Sequence, residues 1–166
     1  MAYYLAFPIE TELQLRLKKP EENAQGLANA ANKEKLNQSI CALIDQGLFY
    51  YFTRPLDLID LNPTVKKSAL AGMKGVERSI HLLVEKVVKS LNQHEIESLY
   101  DYLSTITLED CQKWFCAFLL QEELKDEVAL LIHSIKSQES IPDKRERLHK
   151  TVAVLTSTGV DYFFSR

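Results

Sequence analysis

The chain is short of the residues that mark the common special cases. Among 166 residues there are three cysteines, five prolines, five glycines and one tryptophan. The cysteines are odd in number, lack any Cys-x-x-Cys spacing, and stand beside apolar neighbours such as Ile40 and Phe115. That excludes a disulfide framework and a zinc ribbon, and Cys41, Cys111 and Cys116 read as reduced core thiols of a cytosolic protein. Too little proline and glycine is present for a linker protein, and a 46% hydrophobic content excludes wholesale disorder. No apolar run approaches the roughly 18 residues of a membrane span. The opening Met1 to Ile9 lacks a basic flank, the first basic residue being Arg16, so no export signal is read and a cytoplasmic location is expected.

An excess of one charge is also missing. Lys and Arg number 20 against 23 Asp and Glu, for a net charge of -3 and a pI near 5.8. No broad positive field exists to gather nucleic acid, which is not an expected partner. Phosphate loops, nucleophile elbows, kinase signatures and zinc motifs are all absent. No catalytic residue, metal or cofactor is therefore assigned, and acid–base catalysis stays a third reading behind the two given below.

What the sequence does have is helical periodicity. Leu36, Ile40, Leu43, Ile44, Gly47, Leu48, Tyr51 and Phe52 fall on one face of a helix from about 33 to 53, which Pro55 should end. A long helix is predicted from about 64 to 91. Its inner stripe reads as Val65, Ala69, Met73, Val76, Ile80, Leu83, Val87 and Leu91, beside small residues at Ser68, Gly72, Gly75 and Ser79; these suit a close helix approach, in the bundle or in a dimer. Residues 92–106 read as a shorter helix. Thr107 resembles an N-cap ahead of Glu109 and Asp110, so another helix is expected there, with Leu108, Cys111, Phe115, Phe118 and Leu119 on one side. Further helices are placed around Val128 to Ile135 and from Pro142 to Gly159. Residues 3–19 fit either a strand or a helix, with helix preferred because no strand partner is evident, and 20–35 reads as a polar loop or weakly held helix. The expected fold is all-α, a single domain over 1–166 built as a bundle of five to seven helices, with at most a short extended N-terminal segment and an aromatic tail at 160–166. The expected core is Ile40, Leu43, Ile44, Leu48, Val76, Ile80, Leu83, Leu99, Leu103, Phe115, Leu119, Leu131, Ile132, Val152 and Leu155.

Several constellations are candidates for chemistry. Glu77, His81 and Glu85 are spaced by four, but a 100° turn per residue puts His81 far from the Val76–Ile80–Leu83–Val87 stripe, so the trio should face water and would need ligands from elsewhere to hold a metal. Glu146 and His149 form a single Glu-x-x-His pair where di-metal bundles use two. Lys144, Arg145, Arg147 and Lys150 are diluted by Asp143 and Glu146 and read as a solvated face. The aromatic blocks Phe49-Tyr50-Tyr51-Phe52 and Tyr162-Phe163-Phe164 are different, because adjacent rings cannot all bury on one helix face. They are the expected partner-binding surface of a small helical module acting as adaptor, regulator or subunit, by protein contact or self-association. The alternative is a helical pocket for an apolar small molecule, with His133 or Tyr100 supplying the polar contact.

Overall fold

The computed structural model describes residues 4–20, 26–58 and 62–119, together with Asp126 and Ala129. It divides into two units, Phe7–Cys116 and a second made of Met1–Ala6 with Ala117–Arg166. In chain order the elements are strand β1 (Tyr4–Ile9), helix α1 (Thr11–Leu17), helix α2 (Ala30–Leu48), a π-helical turn (Phe49–Thr53), helix α3 (Arg54–Leu58), helix α4 (Pro63–Ser90), helix α5 (Gln93–Thr105), and strands β2 (Thr107–Asp110) and β3 (Lys113–Leu119). Apart from Ala129, which is helical, the expected helices around 128–135 and 142–159 lie outside the described residues, as do His133, Glu146, His149, the basic cluster at 144–150 and Tyr162, Phe163 and Phe164.

The all-α expectation is overturned. The described residues are mostly helical, but they include a three-stranded sheet in the order β1-β3-β2. The segment read as a helix beginning at Thr107 is an antiparallel hairpin that pairs Thr107 with Cys116, Leu108 with Phe115, Glu109 with Trp114 and Asp110 with Lys113. Its two-residue turn is made by Cys111 and Gln112 at φ 49° and 63°. Both central residues at positive φ give the turn whose twist matches paired strands, usually written with Asn and Gly. Here the sequence carries neither, and each non-glycine residue held there costs about 1–2 kcal/mol. The hairpin also supplies the missing partner for residues 4–9. Phe7 and Ile9 are buried at alternate positions of β1, and Pro8, which cannot donate to a ladder, is tolerated because β1 is an edge strand. Only Thr11–Leu17 is helical in that segment, burying Leu13 and Leu17 one turn apart.

The helices start where their caps dictate. Asn29 Oδ1 accepts from the Asn32 N–H at 2.8 Å, Asn62 Oδ1 from the Thr64 N–H at 2.9 Å with Pro63 opening α4, and Asn92 and Glu95 complete a reciprocal capping box at α5. Pro55 does not end the second helical run, which continues to Leu58. Lacking an N–H, Pro55 leaves the Tyr51 carbonyl without its usual donor, and the chain widens just before it: the Arg54 N–H bonds to the Phe49 carbonyl, five residues back.

The run α2–α3 packs antiparallel along α4. Three contacts set the register: Lys33 Nζ on the Lys89 carbonyl at 2.9 Å, His81 on Asp45 at 2.7 Å and Lys66 on Asp57 at 2.8 Å. Leu36, Ile40 and Leu43 of α2 and Val88 of α4 are buried, as are Ile96, Tyr100 and Leu103 along one face of α5. Ile40, Leu43 and Leu103 match the expected core. Val76, Leu83 and Leu119 do not, being about half exposed.

The hairpin turn and the rotation of α4 each yield a measurable consequence. Replacing Cys111-Gln112 by Asn-Gly removes the positive-φ penalty and should raise the unfolding free energy by about 1 kcal/mol, seen as a higher urea midpoint at unchanged slope. Leu43→Ala should cost about 2–5 kcal/mol in the same measurement, whereas Val76→Ala, on the open side of α4, should shift it by no more than about 0.5 kcal/mol.

Candidate functional site

Helix α4 has two apolar arcs and can give only one to α2. The arc that includes Met73, Ile80, Val84 and Val88 turns inward. The other carries Val65, Val76, Leu83 and Val87, exposed by 54, 47, 46 and 46%. These positions, with Gly72, fall at offsets 0, 7, 11, 18 and 22, which keeps them within about 60° of one another over roughly 33 Å of helix. A Cβ built on Gly72 or Gly75 would meet nothing within 4 Å, so the small-residue stripe is not a notch for a neighbouring helix of the described fold. It lies open beside the apolar stripe. Around the rest of the exposed surface of α4 stand Lys67, Lys74, Arg78 and Lys86, none with an ion-pair partner among the described residues. The helix holds six cations and two anions in a chain of net charge -3, and both anions, Glu77 and Glu85, are half-buried.

On the inner side runs a polar seam. The same rotation that exposes Val76 and Leu83 brings His81 and Glu77 toward α2, so the expectation that they face water does not hold. His81 Nε2 donates to Asp45 Oδ1 at 2.7 Å, and donor atoms of Asp45, Glu77 and His81 all lie within 4.8 Å of one another. One turn before Asp45, Cys41 donates to Asn37 Oδ1 at 3.8 Å. Its thiol is held above its ordinary pKa first by burial and then by the charges of Asp45, Glu85 and Glu34, so the seam is electronegative. A groove of about 400 Å³ opens at its far end, lined by Lys33, Glu34, Asn37, Glu85 and Lys89 among others. Asp45 was not among the sequence candidates, and a single carboxylate within an otherwise regular helical stripe offers little to find it by. The outer face of α4 had a signal: apolar residues occupy more of its circumference than one neighbour can cover.

The π-helical turn resolves the block of adjacent rings. Tyr50 stacks on Phe7 at 6.3 Å and Tyr51 meets it edge-on at 5.4 Å, Phe52 is half-buried, and Phe49 is 47% exposed. Arg54 lies 5.5 Å from the Tyr50 ring centroid, a cation–π distance. Phe7 also approaches Gly47 so closely that an added Cβ would sit 3.3 Å from its ring. Tyr100, the expected polar contact of a pocket, is buried along α5, and burial raises its hydroxyl pKa.

Two groups behind this cluster carry a stability consequence. The Tyr51 hydroxyl is buried without a hydrogen-bond partner among the described residues, and burial raises its pKa. Burial likewise pushes the Cys116 thiol from 9.0 up to about 12. Both groups are neutral when folded at neutral pH. Because the unfolded chain ionises first, stability is intact below the unfolded pKa and falls as pH rises above about 9 for Cys116, by up to about 1.4 kcal/mol per pH unit, and above about 10 for Tyr51. Tyr51→Phe should stabilise the protein by about 1 kcal/mol at pH 7, and Cys116→Ala should flatten the alkaline fall in urea midpoint, whatever it costs at neutral pH.

Comparison with known proteins matches no family model, no curated protein and no solved structure, so the functional reading rests on this chain's own residues.

Proposed function

We propose that the chain is a protein-binding module, an adaptor, regulator or subunit, whose docking surface is the outer face of α4 and whose partner is an acidic amphipathic helix. The observation that carries this reading is one exposed line of Val65, Val76, Leu83 and Val87 on a helix of six cations and two anions, flanked by Lys86, which has no ion-pair partner among the described residues. Contiguous exposed apolar surface marks contact sites, and charge complementarity selects among occupants. A second copy would set one net-positive α4 against another. A membrane surface calls for bulky apolar anchors, yet this stripe is valine, leucine and glycine. The open space over Gly72 and Gly75 admits the backbone of another helix. No described helix is long and apolar enough to cross a membrane, so α4 acts here as a surface rather than a span.

The expected aromatic surface at Phe49–Phe52 now contributes one largely exposed ring, Phe49, as a secondary contact. The pocket alternative finds less support, because Tyr100 does not line the groove between α2 and α4, whose wall sets Ala28, Ala30 and Val88 beside Lys33, Glu34, Glu85 and Lys89.

A photo-crosslinking residue in place of Val76 or Leu83, installed in the full chain in its native cells, tests the proposal. The expected adduct maps by mass spectrometry to one foreign peptide rich in Asp and Glu with apolar residues three and four apart, and it weakens when Lys86 is changed to Glu. An adduct only with a second copy, only with lipid, or with nothing overturns it.

A further inference from the structure

We infer that Asp45, Glu77 and His81 form a binding site for one divalent first-row transition-metal ion of the zinc class. The site is separate from the docking face, on the opposite, α2-facing side of α4. Its donors come from two helices packed together on buried Leu36, Ile40, Leu43 and Val88, so the ligands are carried on rigid elements. Glu77 and His81 are one turn apart and project from the same face of α4; Asp45 enters from α2 and already accepts from the imidazole at 2.7 Å. One imidazole nitrogen and two carboxylate oxygens within 4.8 Å of one another are a borderline donor set. Metal–ligand bonds of about 2.0–2.2 Å then require only side-chain rotation, not helix movement. Imidazole disfavours calcium and magnesium, whose ligands are oxygens alone.

Charge supports the same reading. The His81–Asp45 pair satisfies one carboxylate and leaves Glu77, which has neither hydrogen bond nor ion pair among the described residues, close to a second negative group. Lys74 and Arg78 stand within one turn of Glu77 and His81 on α4 yet form no ion pair with either, and Lys89 and Lys33 are engaged with Glu85 and a backbone carbonyl. Two carboxylates and a neutral imidazole carry a charge that a dication cancels. All three ligands are half-buried, so three protein donors would leave at least one coordination position toward solvent, as in open rather than closed zinc sites.

The test uses the full chain purified without a histidine tag and stripped by chelator. Cobalt(II) should give visible d–d absorption that saturates at one equivalent, zinc should displace it, and zinc should raise the melting temperature. Asp45→Asn, Glu77→Gln and His81→Gln should each weaken binding by at least about tenfold, while His94→Gln leaves it unchanged. Glu77→Gln is the decisive variant, because Glu77 has no hydrogen bond or ion pair among the described residues whose loss would destabilise the metal-free chain. Zinc affinity equal in wild type and Glu77→Gln, or no cobalt spectrum up to millimolar metal, overturns the site.

Discussion

A helix has a single face to give to its neighbour, and in this protein that choice is made once, where α2 and α3 lie antiparallel along α4. The choice is constrained at three levels of the hairpin by Lys33 with Lys89, Asp45 with His81 and Asp57 with Lys66. Half-exposed polar contacts of this kind contribute little energy each, about 0–1 kcal/mol. The buried Leu36, Ile40, Leu43 and Val88 supply the bulk of the attraction, at about 1.5–3 kcal/mol for each side chain. The polar contacts select the register. Rotating α4 to bury Val76 and Leu83 instead would break the His81–Asp45 bond and place Lys86 nearer the interface.

That constraint explains where sequence reasoning succeeded and where it did not. Helix existence was legible because caps and periodicity agreed: Asn62-Pro63 opens α4 and Asn92 opens α5, close to the expected limits. The rotation of α4 was not legible, because its two apolar arcs have similar content and only α2 decides between them. The hairpin was hidden for a different reason. Its turn uses Cys111 and Gln112 at positive φ, so the chemical signature of such turns is absent, while Thr107 followed by Glu109 and Asp110 mimics a helix start. Once β3 was lost as a partner, the alternating Phe7 and Ile9 of β1 had nothing to pair with, and the second error followed from the first.

The two candidate sites are consequences of one packing choice seen from opposite sides. Turning Glu77 and His81 inward toward Asp45 turns Val65, Val76, Leu83 and Val87 outward. Each side alone departs from the usual rule of apolar inside and polar outside, and such departures concentrate where a protein gives up some stability for function. The aromatic turn is milder. There the widened helix at Phe49–Thr53 lets two adjacent rings, Tyr50 and Tyr51, both reach Phe7, which a regular helix would place about 100° apart.

Magnitudes indicate what sort of association the outer face can support. Its four exposed side chains have about half their surface still in water, so covering them contributes about 1 kcal/mol apiece. Association costs at least about 4 kcal/mol in lost translational and rotational freedom. Apolar contact by this stripe alone therefore comes out near zero. The surplus would have to come from the partner's own anchors and from Lys86, whose attraction is screened within about 8 Å at physiological salt. An interface balanced in this way would be reversible and sensitive to ionic strength.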